Sequence, residues 1–99
     1  MRIFKLRKFD KFARDERITD ESLNEAIKRA ESGLVDADLG GGLIKQRVVR
    51  QGQGKSGGYR MIVGYRVKNR AVFLYGFPKN ERDNIDDDEL KSWQEIGAS

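Results

Sequence analysis

Apolar residues recur along this chain with two periods, and the change from one to the other divides it. Arg2-Ile3-Phe4-Lys5-Leu6 alternates weakly and predicts a short strand over 2–6. Phe9, Phe12 and Ala13 then follow helical spacing, which predicts a first helix over 7–15. Leu23, Ala26, Ile27 and Ala30 form the single stripe of a second helix. Thr19 or Asp20 is placed to cap it, Glu21 sits in the first turn where the helix dipole favours an acid, and Gly33 supplies the stop. A short link between these helices reads as a helical hairpin.

Asp36-Ala37-Asp38-Leu39-Gly40-Gly41-Gly42 reads as a flexible connector. Beyond it the apolar period shortens. Leu43–Val49 reads as a strand, 50–58 as a glycine-rich loop, Tyr59–Val67 as a second strand, Lys68-Asn69-Arg70 as a turn and Ala71–Phe77 as a third strand. Pro78 ends that strand because it has no N–H for a ladder. Asp86 or Asp87 is placed to cap a short C-terminal helix carrying Leu90, Trp93 and Ile96. Helices first, then an antiparallel meander, then a helix: the class is α+β, in one domain over residues 1–99.

Composition narrows the chemistry. Apolar residues make up 37% and charged residues 36%, which predicts a thin core and a fold helped by a partner. The absence of cysteine and histidine removes thiolate metal sites and the commonest general base, so no metal and no cofactor are expected. No stretch approaches the roughly 20 apolar residues that span a bilayer, and the basic N-terminus has no apolar run behind it. A soluble, cytoplasmic protein is expected.

The net charge of +4 conceals a strong segregation. Residues 43–82 hold ten basic residues, Lys45, Arg47, Arg50, Lys55, Arg60, Arg66, Lys68, Arg70, Lys79 and Arg82, against Glu81 alone, a surplus of nine. Asp83 and the run Asp86-Asp87-Asp88-Glu89 follow with the opposite sign. A cationic middle of this kind attracts a polyanion. The competing explanation is a solvated surface. Arg47, Arg60 and Lys79, however, fall on three consecutive strands or their ends, where a meander can bring them to one face.

Three other patterns invite functional readings. Gly52-Gln53-Gly54-Lys55-Ser56-Gly57 fits G-x-G-x-x-G, but a strand follows instead of the helix a dinucleotide site needs, and Val49 stands where a phosphate loop needs glycine. It reads as a long hairpin loop whose basic residues could close over an RNA backbone. The acidic run at 86–89 lacks EF-hand spacing and reads as helix capping. Tyr65, Phe73, Tyr75 and Phe77 read mainly as packing, whereas Tyr59, at the edge of the loop, is reserved for stacking on a base.

A histidine-free basic groove can still cut RNA, because RNA carries its own nucleophile. The 2′-hydroxyl must be deprotonated, the extra charge on phosphorus stabilised and the leaving 5′-oxygen protonated. Arginine is permanently charged and grips phosphate in a bidentate way. Lysine among other cations titrates closer to neutrality and becomes a usable acid or base. DNA, lacking the 2′-hydroxyl, would not be cut.

Gly54-Lys55-Ser56-Gly57-Gly58-Tyr59-Arg60-Met61-Ile62, Phe73-Leu74-Tyr75-Gly76-Phe77-Pro78-Lys79-Asn80-Glu81-Arg82 and the segment from Gly33 to Leu43 resemble the RelE/ParE toxin superfamily, with its HigB-like branch the nearest. The resemblance covers the whole chain. It implies two N-terminal helices on a curved antiparallel β-sheet, ribosome-dependent cleavage of mRNA without a metal, and neutralisation by a cognate antitoxin. By position, it implies that Arg60 holds the scissile phosphate, that Arg47 stands in the strand of the family's catalytic lysines, and that Lys79 is a candidate general acid or charge stabiliser with Glu81 beside it as a candidate base. Lys45, Arg50, Lys55, Tyr59 and Arg82 complete the expected RNA-binding set. Asn80 and Asp86 stand where the best-known RelE members have an arginine and a late tyrosine, which leaves the base unassigned.

Two alternatives stay open on the sequence: a ParE-like inhibitor of DNA gyrase on the same fold, and a non-catalytic nucleic-acid-binding module. The basic strand residues favour RNA over a protein target. An acidic antitoxin segment, docking as a helix or an added strand, is the expected partner of the cationic face.

Overall fold

The computed structural model describes residues 2–48, 58–67, 69–78 and Ser92. Within them the chain is α+β, with two helices and a five-stranded mixed sheet. Strands β1 (Arg2–Lys5), β2 (Ala37–Gly40), β3 (Leu43–Val48), β4 (Tyr59–Val67) and β5 (Arg70–Pro78) lie in the order β1-β5-β4-β3-β2, and helices α1 (Arg7–Asp15) and α2 (Asp20–Glu31) join β1 to β2.

The sheet corrects the expected topology twice. It is not wholly antiparallel: β1 pairs parallel with β5, Ile3 opposite Ala71 and Lys5 opposite Phe73. The supposed connector after the helices is largely strand β2, which pairs antiparallel with β3. Gly41 and Gly42 take φ of 62° and 83° between the paired Gly40 and Leu43, the left-handed geometry that a two-residue hairpin turn requires. The expected C-terminal helix lies outside the described residues, apart from Ser92.

Each helix boundary has a local cause. The Thr19 hydroxyl accepts from the Ser22 N–H at 3.2 Å and caps α2, whose first turn carries Asp20 and Glu21. At the other end Gly33, at φ 88°, donates to the Ala30 carbonyl, and Leu34 donates to the Arg29 carbonyl, a Schellman closure. α1 ends with the same pair of bonds, Arg17 to Arg14 and Ile18 to Ala13, although the left-handed position is filled by Arg17 at φ 58°.

Both helices pack on one face of the sheet, α1 over β5 and α2 over β3. Phe9, Ala13, Leu23, Ala26, Ile27 and Ala30 meet Ile44, Val48, Tyr59, Met61, Val63, Ala71 and Phe73 in the main core. Phe9 stacks on Phe73 with ring centroids 5.1 Å apart, and Phe12 meets Tyr59 edge-on at 5.7 Å. The close fit depends on Gly76. A Cβ there would stand 2.6 Å from Phe12 Cε2 and 2.8 Å from Met61 Sδ.

Gln46 is the one buried polar residue among those described, and its amide is fully used. Its Nε2 donates to the carbonyls of Ala26 at 2.9 Å and Leu34 at 3.0 Å, while its Oε1 accepts from the Asp36 N–H at 3.1 Å. The side chain thus ties the centre of β3 to α2 and to the segment leading into β2. Lys5 ties β1 to both helices, with its Nζ 2.9 Å from Asp20 and 3.5 Å from Asp10. The hydrogen bond to Asp20 holds its ammonium above the usual lysine pKa, helped by the charges of Asp20 and Asp10 and opposed by partial burial.

Candidate nucleic-acid interface

Strand parity decides which residues share the face turned away from the helices. Ile44, Gln46 and Val48 of β3 point to the helices, so Leu43, Lys45 and Arg47 point the other way. On β4, Tyr59, Met61 and Val63 join the helix-side core, which leaves Arg60 and Ile62 on the second face. Register sets these residues in rows. Arg47 lies opposite Arg60, which lies opposite Phe77; Lys45 lies opposite Ile62, which lies opposite Tyr75. A smaller apolar cluster of Leu43, Ile62, Leu74 and Phe77 supports this face.

The Arg47–Arg60 pair is close for a reason that the backbone bonds supply. The Arg47 N–H donates to Asp36 Oδ2 at 2.5 Å, and the Arg47 carbonyl accepts from Arg29 Nη2. Both groups therefore point away from β4, which makes Arg47–Arg60 a non-hydrogen-bonded cross-strand pair. In such pairs the Cα atoms approach to about 4.5 Å and the side chains lie nearest each other. Like charges so placed destabilise the sheet. Lys45, two residues along the same strand and face, adds a third positive charge roughly 7 Å away.

Neither arginine is neutralised by a described residue. Among the described residues no carboxylate forms an ion pair with Arg47 or Arg60, and the half-buried Arg60 keeps a buried Nε without a hydrogen-bond partner. Asp36, the carboxylate nearest Arg47 in the bonding pattern, is engaged by the Arg47 backbone. Two half-buried or exposed guanidinium groups with free donors on one face are suited to an anion with several oxygens, and to phosphate above all.

The structure brings together Arg47, Arg60 and Lys45 of the expected residues. Lys79, Glu81, Arg50, Lys55 and Arg82 lie outside the described residues. Tyr59 is a correction. It is 1% exposed, lies on the helix face and donates its hydroxyl to Glu16 Oε1 at 3.0 Å, so it has no surface to offer a base. Tyr75, half-buried and tilted against Phe77 at 5.9 Å, is the aromatic on the cationic face. Asp36 and Arg29 were not singled out by the sequence. Nothing in their local pattern marks them, since their role depends on where β2 begins.

Among the described residues no cluster of three or more potential metal ligands is found, and no described helix is long and apolar enough to cross a membrane. The family model for the RelE toxin of the RelE/RelB toxin-antitoxin system matches residues 1–99. No curated protein matches the chain. The family model, matched end to end over an α+β fold whose sheet carries Lys45, Arg47 and Arg60 on one face, identifies the chain as a member of the RelE toxin family, a toxin with an antitoxin partner.

Proposed function

We propose that this toxin is a metal-independent endoribonuclease of the HigB-like branch that cuts mRNA on the ribosome in the cytoplasm and so stops translation. The observation that carries the proposal is the cross-strand pair Arg47–Arg60, two adjacent permanent cations without carboxylate partners among the described residues. Such a pair destabilises a protein unless a ligand repays it, and a phosphodiester approaching its transition state gains a charge there to be met.

In this reading the half-buried guanidinium of Arg60 grips the scissile phosphate, and the exposed Arg47 reaches the same group from the next strand. Lys45 steers the RNA backbone, and Tyr75 takes the stacking role that Tyr59 cannot fill. Lys79, the first residue after β5, donates a proton to the leaving 5′-oxygen, with Glu81 beside it as the base that activates the 2′-hydroxyl. Arg50, Lys55 and Arg82 hold the flanking nucleotides. An acidic segment of the antitoxin covers the same cations and blocks RNA.

Sequencing of mRNA 5′ ends after induction tests the proposal. New ends inside translated codons, absent when translation is blocked beforehand, are the expected result. Intact mRNA accompanied by gyrase-linked DNA breaks would transfer the assignment to a ParE-like inhibitor, and RNA binding without new ends would leave a non-catalytic module.

A further inference from the structure

The outer edge of β3 is only partly covered by a strand. β2 begins at Ala37, opposite Lys45, so the ladder ends just before Arg47. A backbone N–H and C=O at that point would ordinarily go to water. Here two side chains from different elements take them instead. Asp36, the residue immediately before β2, accepts the Arg47 N–H at 2.5 Å, and Arg29 of α2 donates to the Arg47 carbonyl. Arg29 is itself braced by Glu25 at 3.1 Å one helical turn earlier.

We propose that Asp36 and Arg29 are positioning residues that clamp the Arg47 peptide and thereby aim its guanidinium at the phosphate held by Arg60. The inference rests on the proposed endoribonuclease reading and adds two residues that touch no RNA. The residues flanking Arg47 are already fixed, Gln46 by three hydrogen bonds and Val48 by full burial. Arg47 alone in this stretch is exposed, and its peptide makes no bond to β4, so its own backbone is held by the clamp. An exposed arginine has considerable rotamer entropy to lose on binding. A fixed Cα limits the volume over which the guanidinium is spread before RNA arrives. The stem runs beside Gly58, where a Cβ would meet its Cγ at 3.8 Å and its Cδ at 3.9 Å, an ordinary contact distance. The Asp36 carboxylate also meets an N–H and forms no ion pair with a described guanidinium, so it positions Arg47 without neutralising it.

The test uses ribosomes programmed with mRNA, and in parallel amide hydrogen exchange of the full chain. Asp36→Ala should expose the Arg47 amide to rapid exchange and lower kcat by about 10-fold with little change in KM. Asp36→Asn, whose side-chain oxygen still accepts the N–H, should restore both protection and kcat to within about threefold. In an Arg47→Ala background, Asp36→Ala should cost nothing further, because there is no guanidinium left to aim. Arg29→Met, which keeps the stem and removes the donor, provides the same comparison from the other side of the peptide if Asp36→Ala does not fold. Wild-type kcat in Asp36→Ala, with the Arg47 amide deprotected and Arg47→Ala impaired, overturns the clamp and leaves the cationic site standing. Full activity in Arg47→Ala would instead remove the site, and the clamp with it.

Discussion

Gln46 and Tyr59 on one face of the sheet and Arg47 and Arg60 on the other treat their polar atoms in opposite ways. On the helix side Gln46 is wholly buried and every polar atom of its amide has a partner, and the Tyr59 hydroxyl reaches Glu16. On the far side Arg47 and Arg60 stand opposite one another, and no described carboxylate pairs with either. Burial demands satisfaction, because an unpaired buried group costs about 1–3 kcal/mol. Adjacent like charges that no described carboxylate matches are not arranged for stability. Polar groups that complete their own bonding hold the fold, and the pair left incomplete among the described residues is where the proposed site lies.

That contrast predicts two kinds of mutational outcome. The largest loss of stability should come from Gln46→Ala, which strips three partners and opens a cavity beside α2. A cost on the order of 3 kcal/mol is expected in chemical denaturation. If Gln46→Ala unfolds like the wild type, the helix side is not held by its polar tie. Gly76→Ala comes next, because its Cβ would overlap Phe12 and Met61; about 1–3 kcal/mol of destabilisation is expected, with RNA cleavage by the remaining folded protein unchanged.

The smallest effect belongs to the exposed pair at the sheet's edge. Asp20→Asn should cost under about 1 kcal/mol, because the Asp20 side chain is 80% exposed. Its pH dependence is specific. Lys5 has a raised pKa in the folded state, so the pair's contribution is fully present below the ordinary lysine value of 10.5 and fades as pH rises through the raised one. Unfolding measured between pH 7 and 11 should therefore show the wild type and Asp20→Asn converging at the alkaline end.

Much of this was legible in the sequence, and the failures have physical reasons. The stripe and caps of α2 depend on local rules, so Thr19 and Gly33 marked its ends correctly. The parallel pairing of β1 with β5 joins the first and last of the described strands along the chain, and no local period encodes a partner so distant. β2 is hidden in the sequence because a glycine-rich run reads as flexibility, although Gly41-Gly42 between pairing residues is also a hairpin signal. Tyr59 was misplaced by its position beside a loop. Its parity with Met61 and Val63 was the better guide, since alternation puts all three on the helix face and Arg60 on the other. The same parity, applied to Ile44, Gln46 and Val48, would have marked Gln46 as buried. Arg47 and Arg60 were expected to converge, and the register that sets them opposite each other follows from the β3–β4 pairing.

Arg60→Met tests the central claim most directly, because it removes the charge and keeps the stem in its half-buried place. The unfolding midpoint should equal or exceed that of the wild type, since a cation that no described carboxylate pairs and its repulsion from Arg47 are gone, while growth arrest and mRNA cleavage are lost. A variant that still arrests growth and cuts mRNA at the wild-type rate, or one that loses activity only because it unfolds, would contradict that claim.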